Sequence, residues 1–455
     1  MPAEGRRSRG GGTRARAWLA RITESVESRL WPLPVAAVLL SVALGVVLPR
    51  IDLLIDAGLS AEVDSVIFNG GAETARSVLS SIAGSLITAT SLTFSLTVVA
   101  LQLASSQASP RVLRLFARDR RVHTTLAVFL GTFAYSITVL RSVRSATNDA
   151  SEFVPRIAVT AGFALTLISV IMLVFFLAHL AAQLRVETIL KSIHAETDRT
   201  IDLVGDGYAA AEGYPLRIRT PETKNTVTAT SSGFITSRDR VALVGFADSR
   251  GIVIEEVKRV GDNIVTDTPL AFWWTHPDHD AGPDPMEVQN AVRGAHAIGY
   301  ERTAAQDVDY GVQQIVDIGV RALSPGINDP TTAVHALGHL SALISRIVAL
   351  PQLPAGLVGP DGWLCVVTMT RRPGESVHNA LSQIRHYGAA DPSVVTRFLQ
   401  VISDLAYTCH DGDVRAALAK QLEALEQQLQ HDDSNPAAVT DLLAATKEVT
   451  AHIAQ

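Results

Sequence analysis

The chain of 455 residues is long enough for two or three domains, and a hydrophobic content of 47% argues against a single soluble domain. Its net charge of −6 is unevenly divided: residues 1–185 carry 18 Lys or Arg against 11 Asp or Glu, and residues 186–455 carry 21 against 34. The acidic tail argues against a nucleic-acid partner, because phosphate binding needs a basic patch.

Four charge-free runs predict four transmembrane helices, because about 20 apolar residues cross a bilayer as a helix. They are Leu30–Pro49, Ser77–Pro110, Val122–Leu140 and Ile157–Leu184. The segment before the first run and the loop after the second hold seven and five arginines, against two and three in the alternate loops. The positive-inside rule therefore places both termini in the cytoplasm.

These runs define a transmembrane domain over residues 30–184, which follows a basic cytoplasmic segment of residues 1–29. The first run is too long for a signal peptide and has arginines at both ends, so we expect it to be retained. The arginine-rich loop of residues 111–121, RVLRLFARDRR, is expected to form a short amphipathic helix on anionic headgroups.

The second run carries a row of small and hydroxylated residues at helical spacing, which we call the seam: Ser81, Gly84, Thr88, Ser91, Ser95 and Gln102. Leu79, Ile82 and Leu86 lie off this row. The seam fits three interpretations: close helix packing, the lining of a pore on the axis of an oligomer, or a substrate path. The absence of charge from the run argues against a proton relay.

The fourth run is expected to continue beyond the membrane as an amphipathic helix, within a helical extension and linker of residues 185–215. Short β-branched runs then predict a small β-barrel or sandwich domain over residues 216–284. The expected strands are Thr226–Thr230, Gly233–Thr236, Val241–Gly245, Ile252–Val257 and Asn263–Val265. Residues 285–455 predict a mainly helical cytoplasmic domain with one strand at residues 363–370.

Part of the predicted β-domain is similar to the glycine-turn segment of lipoyl- and biotinyl-type sandwich domains. The similar stretch is VKRVGDNIVTDTPLAFWW, residues 257–274. No lysine stands at the hairpin tip, so the resemblance implies the shape of such a domain without its modification.

The densest polar segment of the tail, residues 301–340, predicts a helix–loop–helix corner. An ion pair between Asp317 and Arg321 would lock the first helix, and Asp329 before Pro330 would cap the second. The alternative is a polar pocket that binds a ligand or a neighbouring subunit. Its lining would be Gln314, Asp317, Arg321, Asn328 and Asp329.

Two histidine pairs have spacings at which a metal could bind, His335 with His339 and His276 with His279. We favour ordinary surface or core histidines, because position 336 is alanine where a zinc protease has glutamate. Cys365 and Cys409 are too far apart in sequence to form a thiolate site. The sequence contains no Ser–His–Asp arrangement and no phosphate-binding loop, so it predicts no catalytic residue, cofactor or metal.

Three stretches resemble a bacterial membrane-protein family catalogued as domain of unknown function 2254. They are ALQLASSQASPR (100–111), FARDRRVHTTLAVFLGTFAYSITVLRSVR (116–144) and QDVDYGVQQIVDIGVRALSPGINDPTTA (306–333). The resemblance implies an integral membrane protein with this topology. We expect it in the bacterial inner membrane, with the lipid bilayer and further copies of itself as partners. The leading hypothesis is an oligomeric channel-like or ion-permeation protein with a regulatory tail; the alternative is a non-conducting membrane-anchored sensor or scaffold.

Overall fold

The computed structural model describes residues 31–55, 67–107, 119–146, 152–215, 217–277, 279, 282–431 and 436–453. The chain forms two compact units, residues 1–185 and 186–455. The basic segment of residues 1–29 and most of the arginine-rich loop lie outside the described residues.

The first unit contains four helices that are long and apolar enough to cross a membrane, as the sequence predicts. They are α1 (Pro32–Ile55), α2 (Ala72–Gln107), α3 (Arg120–Leu140) and α4 (Arg156–Gln183). Each begins within five residues of the expected start, and α1 continues through Pro49 to Ile55.

Small residues bring α1 and α3 close together. A Cβ atom on Gly45 would lie 2.8 Å from the Thr138 side chain, and one on Gly131 would lie 2.9 Å from the Ser41 hydroxyl. Tyr135 of α3 is 1% exposed and donates its hydroxyl proton to the Ala158 carbonyl, at 2.8 Å. These close approaches are typical of helix packing in membranes.

Two carboxylates cap the first turns of membrane helices. The carboxylate of Asp52 accepts hydrogen bonds from the backbone N–H groups of Ile157 and Ala158, at 2.9 and 3.0 Å, in the first turn of α4. Glu152 accepts from the N–H of Ala72, at 2.6 Å, where α2 begins. Both side chains satisfy amide groups that a helix leaves without internal partners.

The fourth membrane helix does not continue unbroken into the tail. α4 ends at Gln183 and α5 (Val186–Ala209) begins after Leu184 and Arg185. The Leu180 carbonyl accepts the N–H of Leu184 and the Ala182 carbonyl accepts the N–H of Arg185, both at 3.3 Å, which closes the end of α4. The expected amphipathic helix is present as α5, and its buried residues include Ile189, Ile193 and Ile201.

Two small sheets and two helices form one core in the second unit. The five-stranded sheet has the order β1-β5-β3-β8-β7 and the three-stranded sheet the order β4-β2-β6. The strands are β1 (Asn225–Thr228), β2 (Gly233–Arg238), β3 (Ile252–Glu256), β4 (Asn263–Ile264), β5 (Pro269–Thr275), β6 (His296–Gly299), β7 (Gly356–Val358) and β8 (Leu364–Val367). β3 pairs in parallel with β8, and the other pairings are antiparallel.

The expectations of a closed barrel and of a strand at Val241–Gly245 are wrong. Neither sheet closes into a barrel over the described strands. The expected strand Val241–Gly245 is helical and belongs to α6 (Arg240–Arg250), because Asp239 caps its start and Gly251, at φ 60°, ends it. Helix α6 contributes Leu243 and Ala247 to the core of this domain.

Seven further helices make up most of the region predicted to be mainly helical, and five of them begin with proline at the first position. They are α7 (Pro285–Ala295), α8 (Val308–Ala322), α9 (Pro330–Val348), α10 (Pro373–Gly388), α11 (Pro392–Thr408), α12 (Gly412–Gln430) and α13 (Pro436–Ile453). Asp284, Asp329, Asp391 and Asp411 each accept backbone N–H bonds at a helix start. The C-terminal unit is therefore an α+β domain.

Candidate functional site

The seam lies on the outside of the four-helix unit. All six of its residues, from Ser81 to Gln102, are exposed, whereas Leu79, Ile82 and Leu86 of the same helix are buried. The Thr88 hydroxyl donates to the Gly84 carbonyl at 3.0 Å, as threonine does in a membrane helix. The described helices of this chain therefore leave the seam uncovered.

A polar cluster joins the start of α3 to the end of α4. Asp119 accepts the N–H of Arg121 at 2.9 Å, and its carboxylate also contacts Nε2 of His179 and the Gln183 amide. Arg121 Nη1 lies 3.2 Å from Nδ1 of His179. Because arginine can only donate, Nδ1 of His179 accepts and its Nε2–H donates to Asp119.

The predicted corner is present between α8 and α9. Asp329 caps α9 by accepting from the Thr332 N–H and hydroxyl, and the N–H of Asp329 donates to the Ala322 carbonyl at 2.8 Å. The Thr332 hydroxyl bond keeps the pKa of Asp329 below its usual range. Asn328, at φ 49°, is exposed in the connecting turn.

The five candidate pocket residues do not share one environment. Gln314 is 3% exposed, Asp317 and Arg321 are half-buried, and Asn328 is exposed. Asp317 accepts a hydrogen bond from the Gln313 amide at 2.8 Å. The ion pair of Asp317 with Arg321 and the binding of a ligand at this corner stay predictions.

Gln306, just before α8, acts as an additional backbone partner for β2. Its side-chain oxygen accepts the N–H of Arg238 at 2.9 Å, and its amide donates to the Arg238 carbonyl at 3.2 Å. A single side chain therefore satisfies both main-chain groups of one residue at the strand end.

Arg238 itself belongs to a buried ion network. Its guanidinium lies 2.7 Å from the Glu256 carboxylate, and both side chains are almost fully buried; Arg240 binds the same carboxylate at 2.8 Å. The N–H of Met369 also donates to Glu256, at 3.1 Å. Burial raises the pKa of Glu256, but the two arginines outweigh it, so the pKa lies below its usual range.

His296 completes this network in its neutral form. Its Nε2 accepts from Nε of Arg238 at 2.8 Å, and its Nδ1 lies 2.7 Å from the Val292 carbonyl, to which it donates. Burial, followed by the positive charge of Arg238, lowers the pKa of His296 to about 4. A proton on Nε2 would face the N–H of Arg238, which explains the direction of this shift.

Asp307 and Asp309, next to Gln306 in the chain, are also bound by arginines, one nearby in sequence and one distant. Asp307 caps α8 by accepting the Tyr310 N–H and pairs with Arg302 at 2.7 Å; its side chain is 1% exposed, and burial raises its pKa. Asp309 pairs with Arg371, just before α10, at 2.6 Å. Gln306, Asp307 and Asp309 therefore join β2, α8 and the start of α10.

Histidines from both pairs proposed as metal ligands contact other aromatic or histidine side chains in the structure. His339 contacts His194 of α5, with their Nδ1 atoms 3.1 Å apart. His276 and His279 both pack against the Trp363 ring, at centroid distances of 4.8 and 5.5 Å. In the described part of the chain, no group of three or more His, Cys, Asp or Glu side chains could hold a metal ion.

A family model described as "Predicted membrane protein (DUF2254)" matches residues 27–404, most of the chain. The chain belongs to this family. An uncharacterized protein of Mycobacterium tuberculosis (strain CDC 1551 / Oshkosh) is 32% identical over 440 residues, covering 94% of this chain and 82% of the relative. An uncharacterized protein of Mycobacterium bovis has the same identity and coverage. No solved structure matches the chain.

The DUF2254 match covers all four apolar helices and the tail as far as α11. It therefore includes the seam, the corner and the buried ion network, and it leaves out α12 and α13. The resemblance inferred from the sequence is confirmed, and the chain is a member of a predicted membrane-protein family.

Sequence reasoning did not find the buried network around Arg238, Glu256 and His296. One signal was present: Arg238 and Glu256 carry opposite charges, and each follows a short stretch with β-branched residues that predicts a strand. Two opposite charges at strand ends of one small domain are candidates for a mutual pair. The pairing of Gln306 with Arg238 had no such signal, since 68 residues separate them.

Proposed function

We propose that the protein self-associates in the bacterial inner membrane through the seam of α2, and that the associated seams line a water-accessible, channel-like path. In this arrangement both termini and the acidic tail are cytoplasmic. The observation that carries the proposal is the placement of the hydroxylated side of α2 outside the bundle while Leu79, Ile82 and Leu86 are buried within it.

The chemistry of the seam suits contact between copies better than contact with lipid. Acyl chains offer no hydrogen-bond partner, and small residues such as Gly84 and Ser91 add little contact with them. A second copy of α2 could approach closely at Gly84, where a Cβ atom would meet nothing within 4 Å. A row of hydroxyl groups without charge would bind a passing ion weakly enough to release it.

The charge of the tail supports a preference for cations. Residues 186–455 carry 34 Asp or Glu against 21 Lys or Arg. An acidic cytoplasmic body at the mouth of a path raises the local concentration of cations and repels anions. We therefore propose that the tail regulates or filters permeation.

Single cysteines in a chain without Cys365 and Cys409 test this proposal. Cysteine at Thr88, Ser91 or Ser95 is expected to react with a charged, membrane-impermeant thiol reagent. Matched controls are Leu92 and Phe94, which are 55% and 57% exposed and lie off the seam. Reaction at the seam but not at the controls supports a water-filled path.

Disulfide cross-linking between copies and measurements of ion flux distinguish the remaining outcomes. Cross-links between copies at seam positions without reagent accessibility would mean packing and not a path. Equal behaviour of seam and control positions would mean that the seam faces lipid, which overturns the proposal. Ion flux from liposomes no faster than the leak of empty vesicles would overturn the permeation step.

A second candidate is a non-conducting sensor or scaffold whose tail binds a ligand or protein at the corner between α8 and α9. It is favoured by the exposed turn of the corner, where Ile327 is 43% exposed and Asn328 has a left-handed backbone. Substitution of Asp317 or Arg321 would then abolish binding while the oligomer stays intact. Cross-linking yield and a pull-down with the Arg321→Ala variant measure the two effects separately.

A further inference from the structure

Two histidines from separate helices meet in the tail. His194 lies on α5, the first helix after the membrane unit in sequence, and His339 lies on α9. Their Nδ1 atoms are 3.1 Å apart, and the ring planes cross at 63° with centroids 5.0 Å apart. The two rings thus face each other through the same nitrogen.

The other nitrogen of His194 is held by a carboxylate. Nε2 of His194 lies 3.3 Å from Asp198, one turn later on α5, and Asp198 is itself bound by Arg346 of α9. A carboxylate on the outer nitrogen places the ring proton on Nε2 and leaves Nδ1 of His194 as an acceptor, to which Nδ1 of His339 donates when no metal is bound. Histidines that bind metals usually have this arrangement.

We propose that His194 and His339 bind a divalent transition-metal ion, with zinc as the test case, through their Nδ1 atoms. Two nitrogen ligands at about 2.0–2.1 Å from a tetrahedral ion are about 3.3 Å apart. The observed 3.1 Å needs only a small adjustment of the two rings.

The protein supplies two ligands at this site and solvent can supply the others. No third His, Cys, Asp or Glu converges on the pair in the described residues. His335, one turn before His339 on α9, is exposed and is the nearest further donor by helical spacing. Burial, then the neighbouring His194 and His335, lowers the pKa of His339, which favours the neutral imidazole that metals bind.

The bound ion would connect α5 to α9. Direct contacts already join these helices, since Arg346 of α9 binds both Asp198 and Asp202 of α5. A metal adds a bond that depends on the availability of the ion. Metal binding would thus fix α5, at the start of the tail, against α9.

Zinc titration of the full chain tests this proposal. The protein, purified in detergent on a tag without histidine and stripped with a chelator, is titrated calorimetrically with Zn²⁺. We expect one ion per chain, and at least about tenfold weaker binding for His194→Gln and for His339→Gln. Asp198→Asn should weaken binding by about tenfold while both ligands are retained.

His410→Gln is the matched control, because His410 is an exposed histidine of the same unit. Its affinity for zinc should equal that of the unaltered chain. Equal binding by the His194→Gln, His339→Gln double variant, or no saturable zinc binding by the unaltered chain, would overturn the proposal.

A measurement on the unaltered chain covers the case in which a variant misfolds. Pulsed electron paramagnetic resonance of the chain with one equivalent of Cu²⁺ should show the remote nitrogens of two imidazole rings. Signals from one ring or from none would contradict a site shared by His194 and His339.

Discussion

The guanidinium of Arg238 and the carboxylate of Glu256 lie 2.7 Å apart with side chains that are 0% and 1% exposed. The pair ends β2 of the smaller sheet and β3 of the larger one, so it joins the two sheets inside their common core. Isolated charges at such a position would be strongly unfavourable, and each therefore depends on the other.

Substitution of Glu256 by glutamine should destabilise the tail by about 3–5 kcal/mol, because it leaves the buried charge of Arg238 without a counterion. Urea unfolding of the full chain in detergent, followed by tryptophan fluorescence, measures the change.

The neighbouring Glu255 provides the control for this experiment. It pairs with Lys224 at 2.5 Å, but both side chains are more than 20% exposed. Glu255→Gln should cost at most about 1 kcal/mol. Similar losses for the two variants would contradict the role assigned to burial.

Acidification should destabilise the tail through His296. Its pKa in the folded protein is about 4, below the ordinary value of 6.5, so the unfolded chain binds the proton more readily. This contribution to stability is fully present above about pH 6.5 and is lost as pH falls toward 4, by about 3 kcal/mol in total.

The variant His296→Gln can still accept from Arg238 and does not titrate. Its unfolding free energy should therefore change less between pH 7 and pH 4 than that of the unaltered chain. An identical pH dependence for the two proteins would exclude His296 as the cause.

Alanine at Gly261 should destabilise the tail more than alanine at Gly362. Both glycines have positive φ, 94° and 79°, and each substitution introduces backbone strain of about 1–2 kcal/mol. A Cβ atom on Gly261 would also overlap the Asp307 carboxylate, whereas one on Gly362 meets nothing within 4 Å. Thermal unfolding of both variants measures their losses of stability. Equal losses would exclude a contribution from overlap with the Asp307 carboxylate.

Alanine at Asp52 should weaken the membrane unit by about 1–2 kcal/mol, since it removes the acceptor for two amide groups at the start of α4. The control is Glu73→Ala, an exposed acidic residue in the first turn of α2, for which we expect about 0.5 kcal/mol. Thermal unfolding in detergent tests both. A larger effect for Glu73 would contradict the capping role of Asp52.

Local signals in the sequence are sufficient to predict most of the helices. Apolar length predicts α1 to α4, and an aspartate followed by proline marks α7, α9 and α11. The segment Val241–Gly245 misleads because a short apolar run fits either a strand or a helix. Only Asp239 and Gly251, at the two ends, decide in favour of the helix.

Long-range pairing limits what the sequence reveals about the candidate site. Gln306, Asp309 and Asp317 are visible in the sequence as polar residues of one segment, but their partners are not. Arg238 and Arg371 reach Gln306 and Asp309 across 68 and 62 residues of sequence. The exposure of the seam likewise depends on which side of α2 packs against α3, and both sides contain small residues.

The capping of α4 by Asp52 bears on how the polypeptide matures. A signal peptidase acting after the first hydrophobic span would remove the side chain that receives the amide protons of Ile157 and Ala158. Helix α4 would then begin with two backbone N–H groups that lack this acceptor. The bundle therefore depends on α1 for the start of α4 as well as for its packing.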